Sequence, residues 1–147
     1  MLLKVLVAAA AAQAAPVAVV PSTVPPSMPN WRTAPLTAGA WSYRPIPGGS
    51  EAVFQDHRGP QLTLRCNLAT RQMIMIRAGA PGGLPLRVTT TSAEKVLPAT
   101  NNLAANDPML DAIAFSRGRF AVLSGMALPL VLPAWPEAAR SVEDCRK

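Results

Sequence analysis

The run Leu62-Thr63-Leu64-Arg65-Cys66-Asn67 decides the fold, because it alternates without a break. Successive side chains of a strand leave on opposite faces, so Leu62, Leu64 and Cys66 line one side and Thr63, Arg65 and Asn67 the other. Such a strand buries one face of a sheet. Upstream, Ala52-Val53-Phe54-Gln55-Asp56 is also strand-like, and residues 56–60, Asp-His-Arg-Gly-Pro, are turn formers, which predicts a hairpin. Downstream, residues 71–78 place Gln72, Ile74 and Ile76 on one face, with Met73 and Met75 between Arg71 and Arg77 on the other. Apolar residues on both faces predict a mid-sheet strand whose second face lies under a helix or loop.

Further along, residues 79–83 (Gly-Ala-Pro-Gly-Gly) read as a flexible loop, and residues 85–91 as a strand with Leu86, Val88 and Thr90 inward. Residues 92–106 carry no clear period. Asp107-Pro108 then opens a helix, with an acceptor side chain at the cap and proline where a missing N–H costs nothing. This helix is expected to run to about Ser116, with Met109, Ala112 and Ile113 inward and Gly118 beyond its end. Residues 119–123 and 126–132 predict a second hairpin about Ser124-Gly125, and Pro129 and Pro133 assign its outgoing strand to an edge. Pro136 opens a last helix in which Trp135, Ala138, Val142 and Cys145 recur at helical spacing.

Two separate period arguments thus aim Cys66 and Cys145 at one core, and they are the chain's two cysteines. In an exported protein that implies a disulfide. Closing a loop of about 80 residues is worth roughly 4.5 kcal/mol by chain entropy, with about 2 to 4 kcal/mol the usual yield. The expected fold is α+β: an antiparallel sheet of about five to seven strands with two short helices, the C-terminal one stapled to the sheet.

Export itself is read from the start of the chain. Met1-Leu2-Leu3-Lys4 precedes an uncharged run and the small-x-small site Ala12-Gln13-Ala14, the form of a secretory signal peptide over residues 1–14. That run is too short to span a bilayer core of roughly 30 Å, and no cysteine follows it to accept a lipid. No transmembrane segment is therefore expected once the leader is removed, and the location is expected to be periplasmic or secreted. Residues 15–40 hold six prolines among Val, Ala, Ser and Thr, which predicts an extended or disordered linker. Residues 41–147 are left as a single domain, which suits a chain of 147 residues that can bury one modest core.

The residue inventory excludes common chemistries. One histidine and two paired cysteines cannot supply a zinc set, and the chain has neither a phosphate-binding glycine loop nor a dinucleotide fingerprint, so no metal and no cofactor are expected. Ser92-Ala93-Glu94-Lys95 matches the Ser-x-x-Lys pattern of serine β-lactamases but lacks its partner motifs, and His57 beside Asp56 sits at a hairpin tip. These two are the only footholds for a small exported hydrolase. Charge is the one global bias: the formal net charge is +6, and eleven of the fourteen basic residues are arginine. Arg65, Arg71, Arg77 and Arg87 are expected outward on neighbouring strands, as a basic face for an envelope protein or anionic glycan. Specific nucleic-acid binding is not expected, because the aromatics that would stack on bases fall at core-like positions.

Residues 50–77, with Ala52-Val53-Phe54 and Leu62-Thr63-Leu64-Arg65-Cys66, and the closing Leu130-Val131-Leu132-Pro133-Ala134-Trp135-Pro136-Glu137 and Glu143-Asp144-Cys145-Arg146, resemble a family of small exported alphaproteobacterial proteins. The resemblance covers about residues 41–147 and implies a periplasmic or secreted α+β domain with one disulfide; it carries no activity or catalytic residue. Trp41-Ser42-Tyr43 followed by a strand cysteine is also similar to periplasmic lysozyme inhibitors. The expected role is that of a non-enzymatic interaction domain of the cell envelope, with lysozyme inhibition and hydrolysis as alternatives.

Overall fold

A computed structural model describes residues 24–80 and 83–147. The leader over residues 1–14 lies outside the described residues, as do Pro81 and Gly82 of the glycine loop. In chain order the elements are β1 (Ala40–Ile46), β2 (Gly49–Asp56), β3 (Gly59–Asn67), β4 (Gln72–Arg77), β5 (Leu86–Thr89), β6 (Glu94–Val96), β7 (Asn102–Ala104), α1 (Pro108–Ala114), β8 (Arg119–Ser124), β9 (Leu130–Pro133) and α2 (Pro136–Asp144).

The first hairpin pairs β2 with β3, Phe54 opposite Leu62 and Ser50 opposite Cys66. Its turn is tighter than expected, because Asp56 faces Gly59 directly and only His57 and Arg58 lie between them. Gly59 takes φ +108°, a conformation open to glycine, and the Asp56 carboxylate accepts the Arg58 backbone N–H at 2.8 Å. β4 is in mid-sheet, paired with β3 on one side and β7 on the other. All pairings are antiparallel, but the strands form two sheets: β1-β2-β3-β4-β7 and β6-β5-β8-β9. The additional strands β1, β6 and β7 come from segments with weak signals. β1 carries Pro45, which an edge strand tolerates, and β6 and β7 are three residues each within the stretch that showed no period.

One core joins the two sheets. Phe54, Leu62, Leu64, Met73 and Met75 of the larger sheet pack in the same cluster as Leu86, Val88, Phe120, Val122, Leu130 and Leu132 of the smaller. Trp41 bridges them, edge-on to Phe54 at 5.5 Å and stacked on Phe120 at 6.3 Å, with its indole N–H donating to the Pro133 carbonyl at 2.8 Å. Burying an aromatic pair with its polar atom bonded gives area without an orphaned donor.

Both helices begin where the sequence places them. Asp107 caps α1, its carboxylate accepting the Met109 backbone N–H at 2.8 Å, and Lys95 holds the other carboxylate oxygen at 2.6 Å. α2 packs on β1, β2 and β3 and buries Ala138, Ser141, Val142 and Cys145. The Cys66–Cys145 disulfide closes this contact, with the Cα atoms 5.4 Å apart. Gly49 sits beside it so closely that a Cβ would lie 1.9 Å from the Cys66 carbonyl oxygen. Trp135 is not on the buried stripe, however. It is the N-cap, extended at φ −91° and ψ 162°, and stands half exposed, while Phe115 at the end of α1 is exposed.

Two other expectations change. The edge strand after the second hairpin starts at Leu130 instead of Met126, since Pro129 cannot donate to a ladder; Met126 and Leu128 lie in the preceding loop and are exposed. The second concerns the linker: from Val24 the chain has a definite course over the outer face of the smaller sheet. Trp31 is buried there with Ala121 and Leu123, Arg87 donates to the Pro25 carbonyl at 2.9 Å, and Arg119 donates to that of Ala34 at 2.6 Å. The segment is not extended throughout: residues 29–33 form turns, in which the Trp31 and Thr33 backbone N–H groups donate to the Met28 and Asn30 carbonyls at 3.2 and 3.1 Å, and Trp31 supplies the anchorage.

Candidate functional site

The larger sheet keeps its inner face for the core and presents its outer face to solvent. Registers on that face bring charges together: Arg44 of β1 lies opposite Glu51 of β2, and Glu51 lies opposite Arg65 of β3. Glu51 is 1% exposed, while both arginine side chains reach solvent. Arg44 Nε donates to one carboxylate oxygen at 2.6 Å and Arg65 Nε to the other at 3.0 Å. Burial raises the Glu51 carboxyl, but the bonds and charges of Arg44 and Arg65 outweigh it and hold the group below its usual range. Two cations around one anion leave a formal surplus of one positive charge. Neither Nη1 is engaged by the described residues, so both guanidiniums keep N–H groups free.

The four arginines expected to share a basic face do not share one. Arg65 lies on this outer face. Arg71 precedes β4 at φ 50° and donates to the Arg146 carbonyl at 3.1 Å, near the end of α2. Arg87 belongs to the smaller sheet, where it is half-buried under the N-terminal segment and paired with Glu94. Arg77 turns inward: it stands opposite Leu62, on the face of Met73 and Met75. It is only 7% exposed, and its guanidinium donates to the carbonyls of Gln61 and Leu128 at 3.2 and 2.8 Å. No carboxylate among the described residues pairs with it, and its Nε is buried without a partner. Burial pushes this guanidinium below its ordinary range, and the neighbouring charge of Arg58 adds to the effect. Strand parity alone was the available signal, since Arg77 is two residues from Met75. Arg44 and Glu51 meet only through the pairing of β1 with β2, for which the sequence of residues 40–46 carries no clear strand signal.

The two footholds for hydrolysis do not assemble. Ser92 follows β5 in a bend, its backbone N–H bonded to Thr90 Oγ1 at 3.3 Å, and Lys95 is engaged with Asp107. His57 is exposed in its turn, and the Asp56 carboxylate that would orient it is held by Arg58 Nη2 at 2.7 Å. Among the described residues no group of three or more His, Cys, Asp or Glu side chains is arranged to hold a metal ion, and no helix is long and apolar enough to cross a membrane. No known protein family, curated protein or solved structure matches the chain.

Proposed function

We propose that this protein is an exported interaction domain of the cell envelope, which binds an anionic envelope partner, glycan or protein, without transforming it. The observation that carries the reading is the solvent-facing side of the larger sheet, where Arg44 and Arg65 flank a buried Glu51 and keep donors free. The disulfide supports the compartment, because such bonds persist where thiols are oxidised. Kinship with the small exported alphaproteobacterial proteins it resembles belongs to the same proposal.

The test is sedimentation of the mature protein with purified cell-wall glycan and with anionic-lipid vesicles, at low and high salt. Arg44→Gln, Glu51→Gln and Arg65→Gln are combined, since removing the arginines alone strands a buried carboxylate. Salt-sensitive binding that the triple variant loses is expected. Absence of binding, or binding the triple variant retains, overturns the reading; lysozyme turnover with added protein is measured alongside, and inhibition would replace it.

A further inference from the structure

A cavity of about 400 Å³ opens between the end of β4, the β2–β3 turn and the loop that leads into β9. Small-molecule sites begin near this size, at roughly 300 Å³. Arg77 and Arg58 line it together with Met126, Leu128, Pro129 and Leu130. We propose that this cavity binds an amphiphilic carboxylate, its head against Arg77 and Arg58 and its apolar chain along Met126 and Leu128.

The head group follows from charge. A guanidinium taken out of water without a counter-ion is costly, and carbonyl dipoles offset only part of that cost. Arg77 Nη1 reaches the carbonyls of Gln61 and Ala78 and Nη2 that of Leu128, so one Nη2 N–H remains unused, while the Nε N–H is buried within the protein without a partner. Arg58 brings a second guanidinium to the same cavity, but Asp56 already neutralises it. The surplus is therefore one positive charge, which suits a monoanion better than a phosphate dianion. A planar carboxylate also matches the fork of an arginine.

The tail follows from the apolar part of the lining. Met126 and Leu128 are 67% and 77% exposed, on a loop whose backbone is already tied to Arg77 through the Leu128 carbonyl. Apolar side chains held beside an unneutralised cation form the two halves of an amphiphile site. This site is separate from the outer face of the larger sheet and does not depend on where the protein works.

The test is calorimetric titration with decanoate below its micelle threshold, beside decanol, acetate and inorganic phosphate, together with NMR of the arginine Nε–H groups. Decanoate is expected to bind at one site at least about tenfold more tightly than the other three, and to move the Arg77 Nε–H resonance. Met126→Ser with Leu128→Ser, both at exposed positions, is expected to weaken decanoate about tenfold with no change in Tm. Arg77→Met is expected to abolish the preference for decanoate over decanol. Equal affinity for decanoate and decanol, equal affinity for phosphate, or an unaffected serine double variant each overturns the proposal, and none of the three needs the Arg77 variant to fold.

Discussion

The inner face of the larger sheet ends differently at its two extremities. Under α2, Ser141 is fully buried and its hydroxyl lies 3.3 Å from that of Ser50 and 3.2 Å from the Leu64 carbonyl, beside the Cys66–Cys145 bond. Tyr43 donates to Asp144 there, and Arg140 stacks over the Tyr43 ring at 4.0 Å. These hydroxyls and the Asp144 carboxylate have partners within the chain. At the end of β4, the same face carries Arg77 with an unpartnered Nε and no carboxylate, next to exposed Met126 and Leu128. One end is closed by covalent and polar pairing, and the other keeps unused donors next to apolar surface. In the proposed reading, stability and recognition occupy opposite ends of one face, since binding groups break the rules that the core obeys.

Removing the staple is the strongest way to break this comparison. Cys66→Ala with Cys145→Ala is expected to lower unfolding free energy by about 2 to 5 kcal/mol in urea titrations, given the 79-residue separation. Decanoate affinity, measured on the fraction that remains folded, should not follow; if it does, the two ends are coupled. Gly49→Ala attacks the closed end sterically, and the clash with the Cys66 carbonyl is expected to cost about 1 to 3 kcal/mol by the same titration.

Acid addresses the outer face. Because Glu51 titrates below its usual 4.5 when folded, the stability it contributes is complete above that value and is lost as pH falls through the folded pKa. Thermal melts of the protein and of Glu51→Gln should therefore converge on acidification below about pH 4.5, with the variant less stable at neutral pH. Leu128→Ser is the smallest effect, expected within about 0.5 kcal/mol of the parent in denaturant, because its side chain already stands in solvent. A larger loss would show that the open end contributes to stability after all.

Much of the fold was legible because its signals are local. Alternation in residues 62–67 gave the face of Cys66, and helical spacing after Pro136 gave that of Cys145, so the disulfide needed no tertiary knowledge. Asp107-Pro108 announced α1 by its cap chemistry. What was lost depended on distant partners. β6 and β7 are three-residue strands that exist because β5 and β4 accept them. Trp31 reads as part of a linker until Ala121 and Leu123 lie beneath it. At the candidate sites, Glu51 finds its partners only once two neighbouring strands set arginines opposite it, and Arg77 takes the inward face that parity with Met73 and Met75 gives it, against the outward preference of its charge.

The segment that crosses the smaller sheet has a consequence for self-association. Thr37 donates its backbone N–H to the Val131 carbonyl at 2.8 Å and accepts the Val131 N–H on its hydroxyl at 3.0 Å, which occupies both outward groups of that residue on an edge strand. An open edge is a template for pairing with another copy. A chain trimmed to begin at Trp41 uncovers Val131 together with Ala121 and Leu123, and so offers a second molecule both the ladder and the apolar floor on which to dock. Residues that composition marks as spacer thus cover the outward backbone groups of Val131 on the edge strand β9.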